Sequence, residues 1–267
     1  MRYWQNLLVF RRAQQQDREM TSIKICGITN VSDAQNAITA GAHYLGFIFV
    51  PSSDRSIDES MAREVLQAVA GRVKTVAVFK NSPLAEVNRL AKSLQFDFVQ
   101  LHGSESPEYC QTVDGPVIKA IEISLDCDLD HLRSQVFLYK NCAYILFDRP
   151  KGLDVGSWLD EAIDKVEALT DNSPYFFAGG LNHTNVRRIL NRITPHALDV
   201  ASGVESAPGV KNMDKMIAFC DAVNDVPQPG SAGILAGTDV LQPGSAGIPA
   251  GTNESRPGID VKNEAVS

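Results

Sequence analysis

The sequence predicts a single α/β domain, a (β/α)8 TIM barrel. Eight short apolar runs recur along the middle of the chain, and each is followed by a segment of helical period. The runs are continuous rather than alternating, as expected of parallel strands buried on both faces. The first run is followed by CGITN, which lacks the G-x-G-x-x-G turn expected of an open dinucleotide-binding sheet. Eight β–α units in some 200 residues fit a closed barrel.

Taken in order, the strands are IKIC (23–26), HYLGFIF (43–49), VKTVAVF (73–79), FDFVQL (96–101), PVIKAIEI (116–123), AYILFD (143–148), YFFAG (175–179) and HALDVAS (196–202). Helical spacing follows at 31–41, 58–71, 82–94, 106–113, 129–136, 157–170, 182–193 and 210–223. In the first of these, SDAQNAITA shows one apolar face and Gly41 suits its C-cap. In the third, Ser82 is expected as N-cap and Pro83 as the first helical residue.

Two flanks differ from this middle. Residues 1–20 pass from an apolar piece, YWQNLLVF, to an Arg/Gln-rich one, and no small-residue cleavage site follows. Met20 stands directly before TSIKICG and is the expected start of translation. Residues 227–267 contain a direct repeat, QPGSAGILAGTDVL then QPGSAGIPAGTNES, with a period of 14 residues. Two copies rich in Gly, Pro, Ala and Ser are too few to stack and read as a flexible tail. The catalytic domain is therefore expected over 21–226.

Composition excludes several classes. Net charge is −7 and pI about 5.3, without a basic run, so nucleic acid and anionic membrane are poor partners. No apolar run approaches the ~20 residues of a membrane span. The five cysteines, at 26, 110, 127, 142 and 220, are odd in number and scattered, with no C-x-x-C. They argue against a disulfide framework or structural zinc and for reduced thiols in the cytoplasm. A lone nearby histidine also argues against a metal at the site.

Barrel active sites lie on the loops after the strands. Cys26 ends the first strand, where a thiol is either packed as a small hydrophobe or placed to take a proton. Gly27 would leave room beside it. Arg55 lies in the loop after strand two and suits a carboxylate. Gln100 and His102 end strand four, and His102, following the alternating QL pair, would face the mouth. Asp148 ends strand six, as either a loop-capping carboxylate or a general acid. The Gly-rich turns AGGLN and ASGVES, with Gly179, Gly180, Ser202 and Gly203, follow the last two strands, where barrels often bind phosphate through backbone N–H groups.

The motifs KICGIT, GFIF…SSDR, VAVF, FDFVQLHGSE, VIKAI, ILFD, AGGLN..NV and LDVASGVES..GVKN, in this order, resemble the phosphoribosylanthranilate isomerases of tryptophan biosynthesis. The resemblance covers residues 22 to about 223. It implies a cofactor-free Amadori rearrangement of N-(5-phosphoribosyl)anthranilate to 1-(o-carboxyphenylamino)-1-deoxyribulose 5-phosphate. It further implies Cys26 as general base, Asp148 as general acid, Arg55 on the anthranilate carboxylate, and phosphate on Gly179, Gly180, Ser202 and Gly203. Asp199, in LDVASGVE, is implied to orient loop eight or the ribose. The implied partner is a small phosphosugar, and the implied assembly a monomer or homodimer.

Two departures stand out. After Asp148 the family's GGTG run is replaced by the shorter RPKGLDVGSW, with Trp158 keeping the aromatic, so loop six is expected to close differently. The residue before Arg55 is Asp54 instead of proline, a carboxylate expected to weaken anion binding at Arg55. Two other readings stay open: a related aldose–ketose isomerase of histidine biosynthesis, and a phosphosugar-binding barrel without turnover. The first would be expected to carry aspartate rather than cysteine at the end of strand one.

Overall fold

The computed structural model describes residues 20–169 and 173–226. Apart from Met20, the two flanks lie outside the described residues. Eight parallel strands close into a barrel in sequential order: β1 (Ser22–Cys26), β2 (Tyr44–Ile48), β3 (Lys74–Phe79), β4 (Phe98–Leu101), β5 (Val117–Glu122), β6 (Tyr144–Asp148), β7 (Tyr175–Phe177) and β8 (Ala197–Val200). β8 closes on β1 with Ser22 opposite Ala197 and Lys24 opposite Asp199. Eight α-helices follow the strands in turn: α1 (Val31–Ala40), α2 (Glu59–Val69), α3 (Leu84–Leu94), α4 (Pro107–Gln111), α5 (Leu129–Leu138), α6 (Val155–Leu169), α7 (Val186–Leu190) and α8 (Met213–Asn224).

Alternation along each strand divides the core in two. Outward residues such as Ile23, Ile25, Leu45 and Phe47 pack under the helices. Inward ones, among them Cys26, Val76, Ile118 and Leu146, fill the barrel. Aromatic rings close its N-terminal end: Tyr44, Phe98, Tyr144 and Phe176 pack with centroids 5.0–6.0 Å apart. His196 Nε2 lies 2.9 Å from the Tyr44 hydroxyl and 3.1 Å from that of Tyr144, so the polar tips of this plug are satisfied. The barrel therefore opens at the opposite end, where the βα loops lie.

Local signals decide the helix ends. Asn30 caps α1 by accepting the Asp33 N–H at 2.8 Å, and Gly41 closes it at φ 108°, as expected. α3 begins one residue later than expected: Pro83 is its N-cap, without a side-chain cap bond, and Leu84 its first residue. α6 begins at Val155, two residues before the expected start, with the Asp154 carboxylate accepting the Ser157 N–H at 2.9 Å. β7 and β8 are shorter than their apolar runs, because Gly179 and Ser202 already belong to turns. Between β8 and α8 the chain makes a single turn of 3₁₀-helix (Ser202–Val204) and a small antiparallel pair, β9 (Glu205–Ala207) and β10 (Val210–Lys211). The helix expected from Val210 starts only at Met213, where Asn212 caps it.

Candidate active site

Cys26 points into the barrel from the end of β1 and is 7% exposed. Lys24, two residues earlier on the same strand face, is fully buried. Its Nζ donates to both oxygens of Asp199, at 3.0 and 2.9 Å, across the β1–β8 closure. An ideal Cβ on Gly46, opposite Cys26 on β2, would stand 2.7 Å from Cys26 Sγ and 3.0 Å from Lys24 Nζ. The room for the thiol thus comes from Gly46. Gly27 makes way for something else, since a Cβ there would meet Arg55 Cδ at 2.8 Å. Burial pushes the Cys26 thiol above its ordinary range; the charge and a hydrogen bond of Lys24 oppose this, while Asp199 adds to it. Burial works against the Lys24 ammonium, but Asp199 and the Cys26 sulfur together hold it above its usual value.

Across the mouth, Asp148 ends β6. Its Oδ1 accepts the Arg149 backbone N–H at 2.8 Å, and its Oδ2 lies 3.0 Å from His102 Nε2. Gln100, almost wholly buried below, has its amide nitrogen 3.1 Å from His102 Nδ1. Gln100, His102 and Asp148 thus form one hydrogen-bonded chain. The Gln100 carbonyl oxygen is buried without a partner among the described residues.

Arg55 crosses over Gly27, and its partner is Glu205 of β9 rather than its neighbour Asp54, which is exposed. The pair is bidentate: Nε donates to Oε1 at 2.8 Å and Nη2 to Oε2 at 2.7 Å. Hydrogen bonding to Glu205 raises the guanidinium's already high pKa. A side-on pair leaves the outer edge of the guanidinium, at Nη1, for another anion. Lys211 Nζ donates to Glu205 Oε1 at 2.7 Å, to the Cys26 carbonyl at 2.6 Å and to that of Ala201 at 3.2 Å. One cation thereby ties the ends of β1 and β8 together. Burial lowers the Lys211 pKa against the pull of Glu205.

The two Gly-rich turns lie side by side. Gly179 and Gly180 adopt φ 107° and 82°, values open to glycine at little cost. A side chain on Gly203 would collide with the carbonyl oxygen of Leu181, so loops seven and eight interlock only with glycine there. Loop six and the start of α6 cover the first turn. An ideal Cβ on Gly179 would meet the Trp158 ring at 2.6 Å and Arg149 Cβ at 2.8 Å, and one on Gly180 would meet Val155 at 2.5 Å. Trp158, fully buried, donates its indole N–H to the Ile123 carbonyl at 2.7 Å. Arg149 Nε is buried with no hydrogen-bond partner among the described residues. Loop six, through Arg149, and the start of α6, through Val155 and Trp158, therefore pack onto this turn.

Cys26, Asp148, Gln100, His102, Asp199 and Arg55 all lie at or just below one mouth, with the four turn residues on its β7–β8 side. Sequence reasoning missed Lys24, Gly46, Glu205, Lys211 and Arg149. Lys24 carried a usable signal, a charge inside an apolar strand two residues from the candidate thiol. A cavity of about 850 Å³ opens beside this mouth, between the loops after β3, β4 and β5 and helix α5. It includes His102 but neither Cys26 nor Asp148. Among the described residues no three His, Cys, Asp or Glu side chains are grouped so as to hold a metal ion, and no helix is long and apolar enough to cross a membrane.

A barrel with a thiol and a carboxyl at one mouth, and glycine turns after its last two strands, has the layout of a phosphosugar-handling (β/α)8 enzyme. Residues 23–222 match the family N-(5'phosphoribosyl)anthranilate (PRA) isomerase. The N-(5'-phosphoribosyl)anthranilate isomerase of Geobacter metallireducens is 38% identical over 200 residues, 75% of this chain and 97% of that one. The solved phosphoribosyl anthranilate isomerase of Thermotoga maritima superposes with a TM-score of 0.70 at 33% identity, covering 77% of this chain and 99% of the other. Another solved phosphoribosyl anthranilate isomerase, in complex with reduced 1-(o-carboxyphenylamino)-1-deoxyribulose 5-phosphate, has a TM-score of 0.64 at 32% identity, covering 77% and 99%. The chain belongs to the N-(5'-phosphoribosyl)anthranilate isomerase family.

Proposed function

We propose that this chain converts N-(5'-phosphoribosyl)anthranilate to 1-(o-carboxyphenylamino)-1-deoxyribulose 5-phosphate with Cys26 as base and Asp148 as acid. The observation that carries the reading is the placement of a thiol and a carboxyl at the ends of β1 and β6 of one barrel mouth, beside two glycine turns. Asp148 gives its proton to the ribose ring oxygen. The C1′–O bond breaks as the anthranilate nitrogen lone pair forms a C1′=N iminium. The iminium acidifies the C2′ hydrogen, which the Cys26 thiolate removes. The electron pair left behind forms C1′=C2′ and returns the iminium π pair to nitrogen, and the enolamine tautomerises to the ketone. Each positioned proton-transfer group typically contributes ~10²–10⁴-fold.

The remaining residues position the substrate. The outer edge of Arg55, held rigid by Glu205, takes the anthranilate carboxylate. The phosphate sits on the backbone N–H groups of Gly179, Gly180, Ser202 and Gly203, with Arg149 as the adjoining cation. Gln100 orients His102, and His102 orients the Asp148 carboxyl. Asp199 acts beneath the site through Lys24. Holding both ends of the substrate supplies the orientation on which intramolecular proton transfer depends.

Cysteine at the end of β1 favours the anthranilate substrate over the related aminoaldose of histidine biosynthesis. Purified protein assayed with both is expected to turn over the anthranilate compound. Turnover confined to the other substrate, or to neither, would overturn this reading.

A further inference from the structure

A buried thiol is a poor base unless something stabilises its charged form. Four charged groups face Cys26: Lys24 from its own strand, Asp199 from β8, Lys211 from β10, and Arg55 from the loop after β2. Lys211 and Arg55 are both engaged by one carboxylate, Glu205. Lys211 Nζ, moreover, addresses the backbone carbonyl of Cys26 rather than its sulfur. Lys24 differs from both. Its Nζ and the Cys26 Sγ flank the same small space over Gly46, each about 3 Å from the point where a Cβ would stand. The ammonium has no exposure to water and is anchored by two bonds to Asp199.

We propose that Lys24 is a positioning residue for the isomerase reaction, its buried ammonium stabilising the Cys26 thiolate from which removal of the C2′ proton begins. The thiol proton leaves to solvent before turnover, and the sulfur then accepts the C2′ proton. Lys24 keeps its own proton throughout and touches no reacting atom of the substrate. Asp199 fixes its place and tempers its charge. The inference rests on Cys26 being the base.

The test is the pH dependence of kcat, whose rise with pH follows ionisation of the base. In Lys24→Gln that rise is expected to move alkaline by about one to three pH units, the usual effect of one neighbouring charge. Turnover at neutral pH then falls at least ~10-fold and recovers as the pH is raised. Lys24→Met, of similar length and without charge, is expected to move the rise in the same direction. A residue that merely supports the fold would lower activity alike at every pH and leave the profile where it is. An unshifted profile in Lys24→Gln overturns the proposal. Should that variant not fold, an unshifted profile in Lys24→Met overturns it instead. The underlying reading fails differently, through a Cys26→Ser enzyme with parental kcat; loss of activity in Cys26→Ser with no shift in Lys24→Gln sinks the lysine alone.

Discussion

Gly46→Ala adds one methyl group at the point where β1 and β2 hold the thiol. The new Cβ would stand 2.7 Å from Cys26 Sγ, 3.0 Å from Lys24 Nζ and 3.1 Å from Cys26 Cα. All three are closer than carbon contacts settle, near 3.5–4.0 Å. Sγ and Nζ are side-chain ends and can rotate away; the Cα belongs to the paired strand and cannot move without parting β1 from β2. Overpacking of this kind costs about 1–3 kcal/mol. For a domain of this size each kcal/mol lowers Tm by about 2–4 °C. The larger consequence is chemical. Displacing the base by about 1 Å costs on the order of 10²-fold in turnover. Arg55 and the glycine turns are untouched, so KM is expected to stay near the parent's while kcat falls. Steady-state kinetics beside a thermal melt checks both. A folded Gly46→Ala enzyme with parental kcat would refute the geometry around the thiol.

Other outcomes follow from the same contacts. Glu205→Gln leaves the buried Lys211 without its carboxylate and is expected to cost about 3–5 kcal/mol, read from denaturant unfolding. Gly203→Ala must push loop eight off Leu181; a raised KM and weaker inhibition by inorganic phosphate are expected, against unchanged values if the turn holds no phosphate. Glu105 and Glu205 are both held below their ordinary value of 4.5; burial opposes this, but hydrogen bonds and nearby cations outweigh it. Their stabilising contribution is therefore complete above about pH 4.5 and lost as pH falls through the lower folded values. Urea midpoints that hold down to pH 5 and then drop would agree, and midpoints that rise on acidification would not.

The barrel was legible because its strands are buried on both faces and so read as unbroken apolar runs. Cys26, Arg55, His102 and Asp148 were legible because each closes such a run or follows it closely. The β9–β10 pair was not, since strands of three and two residues in ESAPGVK carry no period and the loop reads as an early helix start. The pairing of the buried charges was hidden for a different reason. Lys24 and Asp199 lie 175 residues apart in sequence, and Arg55 and Glu205 150 apart. Nothing local shows which partners such charges have. Barrel closure brings them together through the register of β1 on β8. Gly46 escaped notice because a strand glycine shows its purpose only once the facing side chains are known.

The most direct measurement is turnover of N-(5'-phosphoribosyl)anthranilate, followed as loss of anthranilate fluorescence, in the parent, Cys26→Ser and Asp148→Asn enzymes. An active parent is expected, with kcat reduced at least ~10²-fold in each variant and substrate still bound. Undiminished turnover in both variants would contradict the assignment of acid and base.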